Sequence, residues 1–338
     1  MIYWLRDNLI EILLTFIVVC IVSFSIKVNV KFWDLDTVGS DTYYAWVEGR
    51  RILEFKNPYA RILDGDMEEN NKYATYFPLF YEASAVVQYL GLHYYNDWIG
   101  FWRYIFLLAN TLTGFTLFVA LYSKQTWLLA LASMLFWYFN RWTLFASAMP
   151  AIDTIPIFLM VLSLTLFERH RKTSLLLYGF SLAIKQIAIF LAPLFLIWEY
   201  QRTGSIKKTM LAGLWMISIP FLSSLPFLLW NAEGFIKSVA FSATRSALNH
   251  FGAESVDSIL NMSGLLARLP FLGMLCIVYF ATWKKTLGQY SSAVFVMAVF
   301  VSFNSVLFQH YPLWLICLIP LALKESNLLN QNKQVSQL

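Results

Sequence analysis

The chain has 338 residues, of which 59% are hydrophobic, 18% aromatic and only 13% charged, with a formal net charge of +5. A soluble domain is roughly half apolar and a quarter charged, so this composition excludes an ordinary soluble protein and specifies a polytopic membrane protein. The basic excess sits in short connections between apolar runs, where membrane topology favours it, and requires no nucleic-acid partner.

A helix needs about 20 apolar residues to cross the hydrocarbon core. The first such run, about 9–26, lacks a small-residue cleavage site and reads as a retained span rather than a signal peptide. Further spans are expected at 99–122, 127–145, 153–167, 209–230, 262–282, 289–306 and 310–323. The runs are continuous and do not alternate, so the expected fold is all-α with about ten transmembrane helices, some of them short. Cys20, Cys276 and Cys317 lie within apolar runs and read as small hydrophobes, without a disulfide framework or metal cluster.

Two stretches, 76–92 and 173–199, are ambiguous, and the preference of Lys and Arg for the cytoplasmic side decides them. The basic connections are Lys124, "ERHRK" at 168–172, "QRTGSIKK" at 201–208, "WKK" at 283–285 and Lys324. All five share one side only if 76–92 does not cross and 173–199 crosses twice, as short helices turning at "IKQ" (184–186). The stretch 76–92, with its Pro78 and Glu82, is therefore expected as a re-entrant or surface segment. An ordinary span with a weak topology signal is the competing reading.

Both termini then face the cytoplasm, in a multi-pass protein of the plasma membrane. Residues 1–323 form one membrane domain, with outer loops at about 27–98 and 231–258, and 324–338 form a polar tail. In the first loop, "SDTYYAWVEGRRILEF" (40–55) opens on an N-capping serine and reads as an amphipathic surface helix, which Pro58 stops. No second domain, short repeat or extended low-complexity segment is present.

Charged groups at membrane depth carry the functional signal. In this topology Asp34, Asp36, Asp41, Arg103, Arg141, Asp153, Lys185, Arg245, His250 and His310 reach the outer level together. Cations there would hold the phosphate of a lipid head group, and a carboxylate would take a proton from an attacking hydroxyl. Lys185, Arg103, Arg245 and His310 are the expected phosphate ligands, and Asp36, Tyr44, Glu82 and Tyr311 the expected substrate contacts. Asp34 and Asp36 form a DxD pair that would suggest a divalent metal. Transfer from a lipid monophosphate needs none, so no metal or other cofactor is expected.

Each residue also has a plainer role open to it. Asp41 and Asp153 would serve as helix caps, and Arg103 and Arg141 would snorkel to head groups. His310 and Tyr311 would be structural, and Glu82 would face water. Lys185 is harder to explain away, because in one unbroken span it would sit near mid-bilayer at a cost of a few kcal/mol or more.

The series "GSDTYYAWVEGRRILEFKNPY", "TYFPLF", "AMPAID" and "SLAIKQIAIFLAPLF" resembles the GT-C superfamily of integral-membrane glycosyltransferases over about 9–323. The nearest likeness is to bacterial polyprenyl-phosphate-mannose-dependent mannosyltransferases. The resemblance implies Asp41 as catalytic base, Asp153 as a second acidic position and Lys185 near the donor phosphate, with surface helices in the first outer loop. The chain reads "KNPY", "YFPL" and "PAID" where many relatives have "GNPY", "YPPL" and "GQxD", which bears on acceptor and sugar more than on reaction type. The expected reaction is inverting transfer of mannose or another hexose from a polyprenyl-phosphate donor to a glycan or lipid acceptor at the outer face. A transporter or flippase for such a lipid, or a non-catalytic subunit on the same scaffold, are the other classes. The sequence says nothing of oligomeric state.

Overall fold

The computed structural model describes residues 9–31, 33, 36–64, 74–244, 248–249 and 252–325. Helices dominate them: α1 (Leu9–Val30), α2 (Asp41–Leu53), α3 (Leu79–Tyr89), α4 (Tyr95–Leu121), α5 (Trp127–Phe139), α6 (Arg141–Ala148) and α7 (Thr154–Leu166). They continue with α8 (Arg171–Ile184), α9 (Ala192–Thr203), α10 (Ile206–Thr244), α11 (Val256–Ile259), α12 (Leu269–Trp283), α13 (Gln289–Phe303) and α14 (Pro312–Ile316). The chain is helical again at 319–325. Two short strands, β1 (Leu248–Asn249) and β2 (Val306–Leu307), pair in parallel.

Among the described residues, segments 11–30, 95–121, 206–241 and 266–283 are long and apolar enough to cross a membrane. Shorter apolar helices at 127–139, 154–166 and 289–303 pack among them. Their buried faces form one core, in which Leu117, Met134, Trp137, Met160, Phe195 and Trp314 are nearly inaccessible. A second, more aromatic core lies at one end of the bundle. There Tyr59 from the first loop meets Phe227 and Phe235 of α10, and Phe80 of α3 meets Trp98 and Trp102 of α4.

The ambiguous stretch 173–199 is a hairpin. Lys185 adopts an extended conformation (φ −153°, ψ 123°) that ends α8, a 3-10 turn covers Gln186–Leu191, and α9 follows with Pro193 in its first turn. Its two arms close at the far end, where Arg171 of α8 pairs with Glu199 of α9 at 3.0 Å. The other basic connections gather at that end. Arg202 approaches Glu168, the Gln201 amide donates to the carbonyls of Thr282 and Trp283, and Lys324 donates to the Ala120 carbonyl close to Lys124.

Helix α3 has 11 residues, about 16 Å at 1.5 Å per residue, too short to span. It packs along α2 instead. Ser40 caps α2 by accepting the Tyr43 N–H, as the sequence suggests. The stripe that α2 buries is small and polar rather than apolar: Thr42, Ala45, Glu48 and Gly49. Glu48 is neutralised by Arg61 at 2.8 Å and Arg51 at 3.5 Å. Gly49 lets the two helices touch, since a Cβ there would overlap the Ser84 side chain. Gly49→Ala is therefore expected to destabilise the protein by about 1–3 kcal/mol, read as a lower thermal midpoint in detergent.

Three expected boundaries need correction. The span expected at 127–145 breaks at Asn140, whose Oδ1 accepts the N–H groups of Trp142 and Thr143 and so starts α6 as a separate helix. The loop expected at 231–258 begins as helix. Asn231 leaves helical angles (φ −157°, ψ 90°), but the chain resumes and stays helical to Thr244. Beyond Gly234 this segment lies against Tyr59 and Ala60 of the first loop. The last span is two short pieces, 312–316 and 319–325, joined by a turn.

Candidate active site

The hairpin turn brings Lys185 to the end of the bundle opposite the basic connections. Gln186 anchors the turn by donating to the Thr75 carbonyl at 2.6 Å, which sets the neighbouring Tyr76 beside it. From the α6–α7 connection, Asp153 reaches the lysine with Oδ2 2.7 Å from Nζ. Both side chains are almost wholly buried, at 1% and 2% exposed. Asp153 occupies the N-terminal flank of α7 but makes no capping hydrogen bond. Its second oxygen, Oδ1, accepts the Trp314 indole N–H at 2.8 Å. The plain capping role is thus not the one its side chain takes.

Helix α2 delivers Asp41 to the same place. The Thr42 hydroxyl donates to the Pro150 carbonyl at 2.6 Å, tying α2 to the segment that carries Asp153. Asp41 Oδ2 lies 3.8 Å from Lys185 Nζ and accepts the Tyr76 hydroxyl at 2.9 Å. Its side chain is 29% exposed, so this carboxylate is the one that opens outward. Tyr76 lies under the lysine, with Nζ 4.7 Å from the ring centroid, a cation–π geometry. Burial, and next the Asp41 carboxylate, push the Tyr76 phenol well above its ordinary pKa, so it stays protonated and keeps donating.

His310 completes the group from the opposite side. Its Nε2 is 3.5 Å from Lys185 Nζ and 3.8 Å from Asp153 Oδ2. Its ring stacks parallel to Phe308, and Tyr311 packs edge-on against it. Two carboxylates thus share one lysine, with an imidazole in reach to offset the second negative charge. Chemically the group can hold an anion at the lysine and imidazole while leaving Asp41 as an accessible acceptor for a proton.

The described residues hold no group of three or more His, Cys, Asp or Glu placed to bind a metal ion. Residues 238–338 match the family described as mannosyltransferase (PIG-M). Over these residues the chain is similar to a GT-C-type mannosyltransferase family, which supports a mannosyltransferase-like membrane glycosyltransferase. A search of curated proteins and a search of solved structures each return no match. The matched region begins within α10 and supplies His310 and Trp314, whereas Asp41, Tyr76, Asp153 and Lys185 come from the part before it.

Other expected site residues are placed differently. Arg103 is buried on α4 and lines a small cavity with Asn29, Trp33, Ser147 and Thr154, bordered by the segment that carries Asp153. Asp36 is exposed and accepts the Val38 N–H, closing its own turn. Tyr44 sits one turn beyond Asp41 with its ring edge-on to Tyr43. Arg141 is exposed at the start of α6. Asp34, Arg245 and His250 lie outside the described residues.

Glu82 is partly buried on α3 without an ion pair among the described residues, and burial raises its pKa to about 7. The folded enzyme then holds a proton that the unfolded chain releases near the ordinary 4.5 of a glutamate. Stability contributed by the protonated group is complete below 4.5 and is lost as pH rises towards 7. Glu82→Gln is expected to flatten that decline in thermal midpoints measured between pH 4.5 and 8.

Tyr76 and Trp314 are the site residues that the sequence reading missed. The only signals were a tyrosine before "FPLF" and an indole in an apolar run three residues after Tyr311, and a buried indole N–H needs an acceptor.

Proposed function

We propose that this enzyme moves mannose or another hexose from a polyprenyl-phosphate donor to a hydroxyl of a glycan or lipid acceptor at the outer face of the plasma membrane. Asp41 takes the acceptor's proton as its oxygen attacks the anomeric carbon from the side opposite the phosphate. The new bond to the acceptor oxygen forms while the bond from the anomeric carbon to the phosphate oxygen breaks. The phosphate leaves with the electron pair, and the configuration inverts in a single displacement. Lys185 and His310 stabilise the departing charge. Asp153, fixed by Trp314, holds the lysine in place.

The observation that carries this reading is the unequal exposure of two carboxylates on one lysine. Asp153 is sealed, with its oxygens on Lys185 and Trp314, whereas the Asp41 side chain is 29% exposed on the side an incoming hydroxyl would reach. The outer placement rests on the gathering of the basic connections at the opposite end. No step in this scheme requires a metal.

Purified enzyme is expected to transfer labelled mannose from polyprenyl-phosphate mannose and not from a nucleotide-diphosphate mannose. The product's anomeric configuration should be opposite to the donor's, and EDTA should leave the rate unchanged. Transfer from the nucleotide sugar alone, or with retained configuration, would remove the proposal.

A further inference from the structure

At the end of the molecule remote from Lys185, an apolar groove of about 400 Å³ opens between α9, α10 and α12. Leu196, Ile197, Tyr200, Met210 and Trp283 line it, with Ile206 and Thr209 from the first turn of α10. One wall is held rigidly. Tyr200 and Trp283 stack 5.2 Å apart and 15° from parallel, and Gln201 clamps the last carbonyls of α12. Stacked Tyr and Trp at a helix end suit the head-group level of a bilayer.

The charges around this groove are divided. Arg171 and Arg202 are matched to Glu199 and Glu168. Lys207 and Lys208 at the start of α10, and Lys284 and Lys285 at the end of α12, are exposed and form no ion pair within 4.0 Å among the described residues, although Lys208 also acts on Glu199 through space. The Lys284 ammonium rests 5.4 Å from the Phe280 ring. The positive end of α10 adds to the field, because first-turn N–H groups favour an anion.

A lipid-facing apolar groove in a bilayer takes an acyl chain of any kind, so the informative quantity is the head group. We propose that the groove is a binding site for an anionic phospholipid, with its acyl chain along Leu196, Met210 and Trp283 and its phosphate among the four lysines. Juxtamembrane Lys and Arg attract anionic lipid, so the four exposed lysines favour an anionic over a zwitterionic head group. The site is separate from the sugar-transfer centre and does not depend on its chemistry.

The test uses the full chain in neutral detergent, with retained lipid counted by native mass spectrometry during titration with phosphatidylglycerol or phosphatidylcholine of the same acyl chains. One phosphatidylglycerol is expected at concentrations at least about tenfold below those needed for phosphatidylcholine. The variant Lys207→Gln/Lys208→Gln/Lys284→Gln/Lys285→Gln should erase that preference and keep sugar transfer. Leu196→Trp, which fills the groove, should lose the bound lipid with all four lysines present. Asp41→Asn should leave retention unchanged, separating this site from the catalytic end. Equal retention of the two lipids by the wild type, or a preference that survives either the fourfold variant or Leu196→Trp, would overturn the proposal. Should the fourfold variant fail to accumulate, the two double variants, at 207/208 and at 284/285, must each weaken the preference.

Discussion

Asp41→Asn is expected to cut turnover by about 10²–10⁴-fold, the range for losing a positioned general base, while the protein accumulates and unfolds as the wild type does. Asparagine keeps the shape and an oxygen that can accept the Tyr76 hydroxyl, so the partly exposed position loses little packing. What it loses is basicity. An amide cannot take the acceptor's proton, so the loss should appear in kcat with little change in the KM for the lipid-linked donor. Asp153→Asn separates the two carboxylates by a different signature. Lys185 would lose its closest anion at 2.7 Å, so stability and activity should fall together. Transfer undiminished in Asp41→Asn, at normal expression, would deny Asp41 the role of base.

Much of this architecture is legible in the sequence because the membrane imposes it. Span length and the placement of Lys and Arg are enough to turn 173–199 into a hairpin at Lys185, although no glycine or proline marks the break itself. The same bookkeeping excludes 76–92 from spanning, and the 11-residue α3 agrees. What composition does not encode is how helices end within an apolar stretch. Asn140 divides one expected span in two through a cap that no hydropathy window resolves. Asn231 breaks α10 without ending it, since the helix continues against Tyr59 once it has left the bundle. In the first loop the expected Ser40-capped helix forms, but α2 buries Thr42, Ala45, Glu48 and Gly49, so its inner face lacks the apolar stripe an interfacial helix would show. Within the site, ionisable residues advertise themselves by their cost in a membrane, whereas Tyr76 and Trp314 do not. The match of residues 238–338 to the mannosyltransferase (PIG-M) family supports an enzyme over a transporter, a choice that charge placement alone leaves open.

The largest stability effect is expected at Lys185. Lys185→Met removes the closest cation to Asp153 Oδ2 among the described residues, leaving a buried carboxylate with the Trp314 indole and, at 3.8 Å, the His310 ring. Breaking a buried pair in this way costs about 3–5 kcal/mol. Replacing both partners by apolar groups should cost much less, because neither charge is then left in a low-dielectric interior. The double variant Lys185→Met/Asp153→Leu is therefore expected to regain much of that loss in thermal or denaturant unfolding in detergent. Recovery stays incomplete by about 1–3 kcal/mol, since the Trp314 indole N–H loses its acceptor, and Trp314→Phe added to the double variant should return that remainder. None of these variants should transfer sugar, because the phosphate loses its lysine whether or not the fold is restored. Stability and catalysis thus part company at one position. If the single and double variants are equally unstable, the 2.7 Å contact does not couple the two residues energetically, and Asp153 does not hold Lys185 in its catalytic place.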